Sequence, residues 1–329
     1  MNPQPINKPL VLVCEPIAQQ PLRWLAEHAR VRSPEKLSDD DLSEAEGLVV
    51  RTYTQVDEAL LDRAPNLRVV ARAGAGLDNI DLDACTRRGI RVVYAPGANS
   101  SAVVEYVISM MIQSLRPIAR ISEPLDERSW HKLRASSITP GSCIGETLGI
   151  IGLGRIGSRL ARAADALAMS VLYHDLLEID EPHRHGAKPA ALGELLRTCR
   201  VISVHIDGRA ENRHLLDDSF FGALRPDAIV INASRGFVLD EHAAAQFAIA
   251  NPRSRLVLDV FDPEPLSPAS PLIEAPNIVL TPHIAAGTAS AKEAMSWVVR
   301  DVVAVLNGKT PKEPANTLEE LNGPGTNPN

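Results

Sequence analysis

The sequence predicts an α/β protein of two doubly wound, parallel-sheet domains, and three observations carry that expectation. Short apolar runs alternate with helical patterns through the first hundred residues. A strand then ends in Gly152-x-Gly154-x-x-Gly157, opens a helix, and is followed by a second strand closing on Asp175. A further alternating series runs on to Leu280. Each parallel pair of strands needs a long crossover, and a helix after every strand supplies it.

In order, Pro9–Cys14, Gly47–Arg51, Leu67–Ala71 and Ile90–Tyr94 read as strands. Helical patterns at Pro21–Ala29, Asp57–Ala64 and Leu82–Arg88 separate them. Ala95–Ser101 is turn-rich, and Ser100 or Ser101 can cap the apolar helix Val103–Leu115, which bridges into the second domain. Ile121–Glu146 is polar and poorly patterned, and is read as an irregular arm around Trp130. After the glycine unit come a helix at Ala190–Thr198, a strand at Val201–Ile206 and a helix at Asp217–Leu224. Strands at Ala228–Asn232, Leu256–Val260 and Ile278–Leu280 follow, with loops rich in Pro, Gly and Asp between them. Ala291–Leu306 is one amphipathic helix that stops at Asn307-Gly308, and Pro311–Asn329 is expected to be a mobile tail. The expected domains are 1–102 with 287–329, and 103–286 inserted between them.

The glycine turn has a physical reading. Without Cβ atoms, backbone N–H groups and the helix N-terminus can approach a pyrophosphate. Asp175 lies 18 residues past the third glycine, where a carboxylate can take the ribose hydroxyls of NAD. No Arg or Lys follows in Leu176–Asp180 to receive a 2′-phosphate, so NAD is expected over NADP.

Composition narrows the function classes. With 45% hydrophobic and 23% charged residues over 329, the chain can build ordinary cores. A net charge of −7 argues against general binding to nucleic acid or anionic membranes. No apolar run reaches membrane-span length, and the N-terminus lacks signal-peptide shape. Cys14, Cys85, Cys143 and Cys199 have no zinc or redox spacing, so no metal is expected and a cytoplasmic location is.

Three loops after strands carry reactive side chains, where such sheets place ligands. Asn232–Gly236 offers Arg235, Asp259–Pro265 offers Asp259 and Glu264, and Thr281–Ala285 offers His283. Arginine matches a carboxylate, and histidine exchanges a proton near neutral pH, with a glutamate favouring its protonated form. Each has a plainer role as surface charge, solvated acid or packed histidine. Their shared place downstream of a nicotinamide-type motif favours a carboxylate clamp with a proton donor.

These segments resemble the D-isomer-specific 2-hydroxyacid dehydrogenase family, which includes phosphoglycerate dehydrogenases and glyoxylate/hydroxypyruvate reductases. The similarity runs from about Val49 to Asn307 through RAGAGLDNID, PGANSSAVVE, LGIIGLGRIG, NASRG, LDVFDPEPL and TPHIA. It implies a Rossmann NAD-binding domain inserted into a flavodoxin-like substrate domain, and exchange between a 2-keto acid and its (R)-2-hydroxy acid. It further implies Arg235 on the substrate carboxylate and carbonyl, His283 as acid/base and Glu264 as its partner. Cofactor contacts are implied for Gly152, Gly154, Arg155, Ile156, Gly157, Asp175, His205, Ala233 and Asp259, the last orienting the nicotinamide. Substrate contacts are implied for the Gly74-Ala75-Gly76 amides. Arg51, Leu77 and the arm around Trp130 are expected to select the acid. A homodimer through the NAD-binding domains is also implied. One departure stands out: the family's His-x-Pro-x-Thr-x-x-Thr reads His205-Ile-Asp207-Gly-Arg209-Ala-Glu-Asn212 here. The chain also lacks the extra regulatory domain of some phosphoglycerate dehydrogenases, so serine feedback is not expected. Glu264 argues against formate-type relatives, which pair Gln with His. A non-enzymatic alternative is an NAD(H)-binding corepressor-like sensor of the same fold.

Overall fold

A computed structural model describes residues 8–139 and 141–318. Two compact units divide the chain: Ser100–Gly287 is one, and the segments before and after it form the other. Both are built on wholly parallel sheets, as the alternation requires.

The discontinuous unit holds β1 (Leu10–Val13), β2 (Arg30–Arg32), β3 (Gly47–Val50), β4 (Val69–Arg72) and β5 (Arg91–Tyr94), in the order β2-β1-β3-β4-β5. Leu10, Leu12, Leu48, Val50, Val70 and Val92 point into one core with Leu42, Leu60, Leu61 and Ala84 from covering helices. Helices Gln19–His28 and Val299–Leu306 pack against each other, the second also against β3, β4 and β5. The last helix of the chain therefore completes the first sheet.

The continuous unit holds β6 (Thr147–Ile151), β7 (Ser170–His174), β8 (Lys188–Pro189), β9 (Val201–Val204), β10 (Ile229–Asn232), β11 (Arg255–Leu258) and β12 (Ile278–Leu280). Their order is β12-β11-β10-β9-β6-β7-β8, the doubly wound pattern whose direction reverses between β6 and β9. Side-chain alternation sorts the two faces. Leu148, Ile150, Val201, Ile229, Ile231 and Val257 face helices Ser100–Leu115 and Arg155–Ala166. Ile151, Ile202, Val204, Val230, Leu256 and Leu258 face helices Leu192–Thr198, Asp218–Gly222 and Glu241–Ala250. Strands covered on both faces read as continuous apolar runs, which is why they were visible in sequence.

The structure corrects four expectations. The arm is not irregular throughout: Glu127–Ser136 is a helix, capped where the Asp126 carboxylate accepts from Ser129 N (2.7 Å), yet it buries none of its residues. A ten-residue helix, Glu241–Ala250, occupies the span read as loop. Its Ala-rich run is buried on several sides and so lacks an amphipathic period. The single C-terminal helix is two, Ala289–Ser296 and Val299–Leu306, because Val298 N and Asp301 N bond three residues back, tightening the turn. The stop at Asn307-Gly308 does end the second, with Gly308 at φ +69°.

The tail is pinned as far as it is described. Pro314 bridges Val93 in antiparallel sense, and Ala315 N donates to Val92 O (2.8 Å). Asn316 Oδ1 accepts from Val92 N (2.8 Å), while its Nδ2 donates to Ile90 O (2.9 Å) and Thr86 Oγ1 (3.0 Å). Edge strand β5 is thereby covered, which removes a row of open backbone groups. The rest of the tail, the first seven residues and Pro140 lie outside the described residues. Among those described, no helix is long and apolar enough to cross a membrane.

Asn316→Ala strips three hydrogen bonds from a half-buried site. It is expected to cost about 1–3 kcal/mol in urea unfolding and to speed amide exchange at Val92. An unchanged midpoint with unchanged exchange would show the tail to be dispensable.

Candidate active site

The crevice begins where β6 and β9 lie side by side and their following helices leave on opposite faces. Gly152 ends β6 at φ +89°, and a Cβ there would stand 2.6 Å from His205 O. A Cβ on Gly157 would stand 2.3 Å from Gly152 O. Both glycines are required by close backbone approach. At Gly154, by contrast, a Cβ would meet nothing within 4 Å, and helix Arg155–Ala166 starts there with no side-chain cap. That open cradle before uncapped N–H groups fits a pyrophosphate. Exposed Arg155 and half-buried Ile156 form the helix's first turn.

Asp175 reaches back across this turn. Its Oδ2 accepts from Leu153 N (2.7 Å) and its Oδ1 from Leu177 N (2.9 Å), leaving lone pairs for ribose hydroxyls. The carboxylate therefore also shapes the turn it was expected only to flank. On the facing wall, His205 N donates to Ile151 O (2.8 Å) and Nε2 lies 2.8 Å from Ser203 Oγ. His205 Nδ1 is buried with no partner. Burial holds this imidazole down at about 4, so it stays neutral at physiological pH.

The other site residues leave β10, β11 and β12, adjacent strands, at one edge of the sheet. Asn232 staples the first loop: its Oδ1 accepts from Ser234 N (3.0 Å) and Ser234 Oγ (2.7 Å), and its Nδ2 donates to Arg235 O (3.1 Å). Half-buried Ala233 and Arg235 are held by that staple, and Arg235 Nη1 donates to Ser234 O (2.8 Å). Gly236 presses so closely on the Phe261 carbonyl that a Cβ would stand 2.0 Å from it. The second loop continues to Glu264, whose Oε1 accepts from Phe261 N (3.2 Å). Glu264 Oε2 then meets His283 Nδ1 at 2.8 Å. Burial raises the Glu264 carboxyl, but the hydrogen bond and charge of His283, Phe261 N–H and the Arg235 charge outweigh it, so it lies below its ordinary range. Arg235, Glu264 and His283 are thus brought into one electrostatic cluster.

Asp259 is fully buried and spends its oxygens on the histidine loop. Oδ1 accepts from Thr281 Oγ1 (2.6 Å) and Ile284 N (2.8 Å), and Oδ2 from Ala285 N (2.7 Å). Burial raises its carboxyl above the ordinary range, with these donors and His283 opposing. Thr281 gives its only proton to Asp259, so the Tyr106 hydroxyl, 2.7 Å away, donates to Thr281. His283 itself sits at φ +52°, an uncommon conformation for a histidine, secured by its N–H to Asp259 O (2.9 Å).

In the discontinuous unit, Gly74 N is already turned to Arg72 O (2.8 Å), and Arg72 lies where a Gly74 side chain would be. Ala75 N and Gly76 N have no partner among the described residues. Only these two amides of the expected trio are open. The Arg51 loop is governed by a residue the sequence did not single out. The Glu15 carboxylate accepts from Arg51 N (2.9 Å), Thr52 N (2.8 Å), Tyr53 N (3.2 Å) and Thr54 N (3.0 Å). Burial raises the Glu15 carboxyl and these four amides more than reverse that, leaving it lowered. Nothing in a lone acid after a strand signals such a nest. Ser203, Thr281 and Tyr106 were missed for the same reason, since each acts on a partner distant in sequence or facing an unpredicted direction.

The four cysteines are free, and burial drives Cys14 and Cys199 up to about 12 and Cys85 to about 11. None offers a thiolate nucleophile. Among the described residues no cluster of His, Cys, Asp or Glu is arranged to hold a metal ion.

Comparison with known proteins agrees with this geometry. Residues 108–285 match the family described as D-isomer specific 2-hydroxyacid dehydrogenase, NAD binding domain. D-3-phosphoglycerate dehydrogenase of Archaeoglobus fulgidus is 34% identical over 91% of this chain, which covers 57% of that relative's length. Glyoxylate reductase of Aeropyrum pernix is 33% identical over 83% of each chain. Among solved structures, D-lactate dehydrogenase from Aquifex aeolicus, complexed with NAD and lactic acid, superposes with a TM-score of 0.76 at 25% identity, covering 91% of this chain and 96% of that one. The chain belongs to the D-isomer-specific 2-hydroxyacid dehydrogenase family, and its continuous unit is the NAD-binding domain.

Proposed function

We propose that this protein interconverts a 2-keto acid and its (R)-2-hydroxy acid with NAD(H). The observation that supports this most directly is the His283–Glu264 pair beside Arg235, on the same sheet edge as the glycine cradle. When bound, NADH supplies the hydride for C2 of the keto acid. Nδ1 of His283 is committed to Glu264, so Nε2 is the atom that gives a proton to the carbonyl oxygen. Arg235 pairs with the substrate carboxylate and polarises the carbonyl, and the Ala75 and Gly76 amides serve substrate recognition in the other unit. Arg51 and Leu77 are assigned to substrate selection, with Arg51 held by Glu15. Asp259 acts on the nicotinamide only through the loop it anchors. The cofactor is held by the Gly152–Gly157 turn with Arg155 and Ile156, by Asp175, and by the His205 and Ala233 walls.

Apolar side chains along the arm support a homodimer through the NAD-binding domains. Ile121 is 53% exposed, Trp130 50%, Ile138 82% and Ile144 76%. A dispersed surface rarely leaves so many large apolar groups on one segment. A cytoplasmic setting is supported by the four unpaired thiols.

NADH absorbance is expected to fall when a panel of 2-keto acids is added, and no loss with any of them would sink the enzymatic reading. His283→Ala should lower kcat for reduction by about two to four decades. Glu264→Gln keeps the shape but removes the charge facing Nδ1, so the basic limb of the reductive profile should move to lower pH. Because the Glu264 carboxyl is held below its ordinary range, the negative charge facing Nδ1 is fully present above that range and is lost as pH falls through the lowered value. A glutamine variant with the parent's profile would remove Glu264 from the mechanism.

Asp175→Ala should weaken NADH by about one to two decades in a fluorescence titration, from lost hydrogen bonds to a charged group. Equal affinity would exclude a direct role. For the dimer, Trp130→Glu with Ile138→Glu should convert the species seen by light scattering from two chains to one. A parent that is already monomeric would refute the arm's role.

A further inference from the structure

The segment that departs from the family pattern, His205–Asn212, leaves β9 at the winding reversal, directly beside the glycine turn. Its own geometry is closed on itself. Arg209 Nε donates to Asp207 Oδ1 (2.7 Å) and Nη2 to Asp207 Oδ2 (2.6 Å), a two-pronged fork. Arg209 N also donates to Asp207 Oδ1 (3.3 Å). Asn212, buried to 9% exposure, braces the acid by donating from Nδ2 to Asp207 O and Oδ1, both at 3.0 Å. The three residues that replace a proline and two threonines therefore form one unit, in which Asn212 holds Asp207 and Asp207 holds Arg209.

The fork consumes Nε and one edge of the guanidinium. Nη1 has no partner among the described residues, and the arginine side chain is 49% exposed. Asp207 and Arg209 also feel the charges at the two ends of the crevice: Arg235 helps lower the Asp207 carboxyl, and Asp175 adds to the anions that raise Arg209. The segment also starts against the glycine turn, because its first residue, His205, sets its carbonyl 2.6 Å from where a Gly152 Cβ would stand. An arginine immobilised by a carboxylate loses less freedom when it takes a second anion, which is the advantage of preorganisation.

Resting on the NAD(H) reading above, we propose that Arg209 is a nucleotide-binding residue of this chain, donating from Nη1 to the cofactor's pyrophosphate, with Asp207 and Asn212 as positioning residues. It places a cation four residues beyond His205, the residue packed against Gly152, at a position where the family's pattern is uncharged. No Arg or Lys follows Asp175 in Leu176–Asp180, and the loop after β9, the neighbour of β6, brings one.

Isothermal titration of the full chain with NADH and with ADP-ribose tests this without turnover. Arg209→Gln is expected to raise Kd for both ligands about tenfold and to flatten the salt dependence of ADP-ribose binding, the mark of a lost phosphate contact. Asp207→Asn, which loosens the fork, should weaken ADP-ribose severalfold. Parent-like Kd values in Arg209→Gln would overturn the proposal while leaving the NAD(H) reading intact. A loss confined to NADPH and 2′,5′-ADP would also overturn it, assigning Arg209 to a 2′-phosphate instead. A parent that binds neither NADH nor ADP-ribose would overturn the NAD(H) reading and the proposal together.

Discussion

The reversal of winding between β6 and β9 is the constraint on which the rest of the structure depends. Two neighbouring parallel strands send their chains to opposite faces, so nothing fills the space beyond their carboxyl ends. The base of the crevice is then drawn tight by contacts that leave no room for a Cβ: Gly152 against the His205 carbonyl, and Gly157 against the Gly152 carbonyl. Because the sheet is parallel throughout, the loops after β10, β11 and β12 must emerge at the same edge. A glycine cradle, an arginine, a glutamate and a histidine share one border for that topological reason alone.

Precision within that border comes from buried carboxylates and amides rather than from regular structure. Asp259 is the clearest case, with three donors from the histidine loop on one enclosed acid. The loop's conformation is costly, since a histidine at positive φ stores of order 1–3 kcal/mol. Charge-assisted hydrogen bonds donated to a buried carboxylate are the interactions strong enough to hold it. Glu15 does the same for the Arg51 loop in the other unit, and Asn232 for the Arg235 loop. In each case a polar side chain just after a strand ties down the backbone that carries a functional group.

Charge along the crevice alternates in a way no single stretch of sequence displays. Asp175 lies on the glycine side, the Asp207–Arg209 fork on the facing wall, then Arg235, Glu264 and His283 at the far edge. Arg209 pairs with Asp207 and His283 with Glu264, while Asp175 is held by the backbone amides of Leu153 and Leu177.

Sequence by itself determined the sheet-forming runs, the glycine turn with its acid, and the chemistry-bearing loops, because those signals are local. Two-sided burial makes Val201–Val204 or Ile229–Asn232 apolar throughout, and a tight turn can use only glycine. It left out elements whose stability comes from elsewhere. Short edge strands β2 and β8 are polar and have no period, helix Glu241–Ala250 is buried too completely to show one, and residues 314–316 are pinned because β5 has an open edge for them. Tertiary structure alone decided that Asp259 would serve a loop, that Gly74 would turn its amide inward, and that Asp207 would hold Arg209 in a fork. These outcomes depend on which strands become neighbours, and paired residues of β6 and β9 are 53 positions apart in the chain.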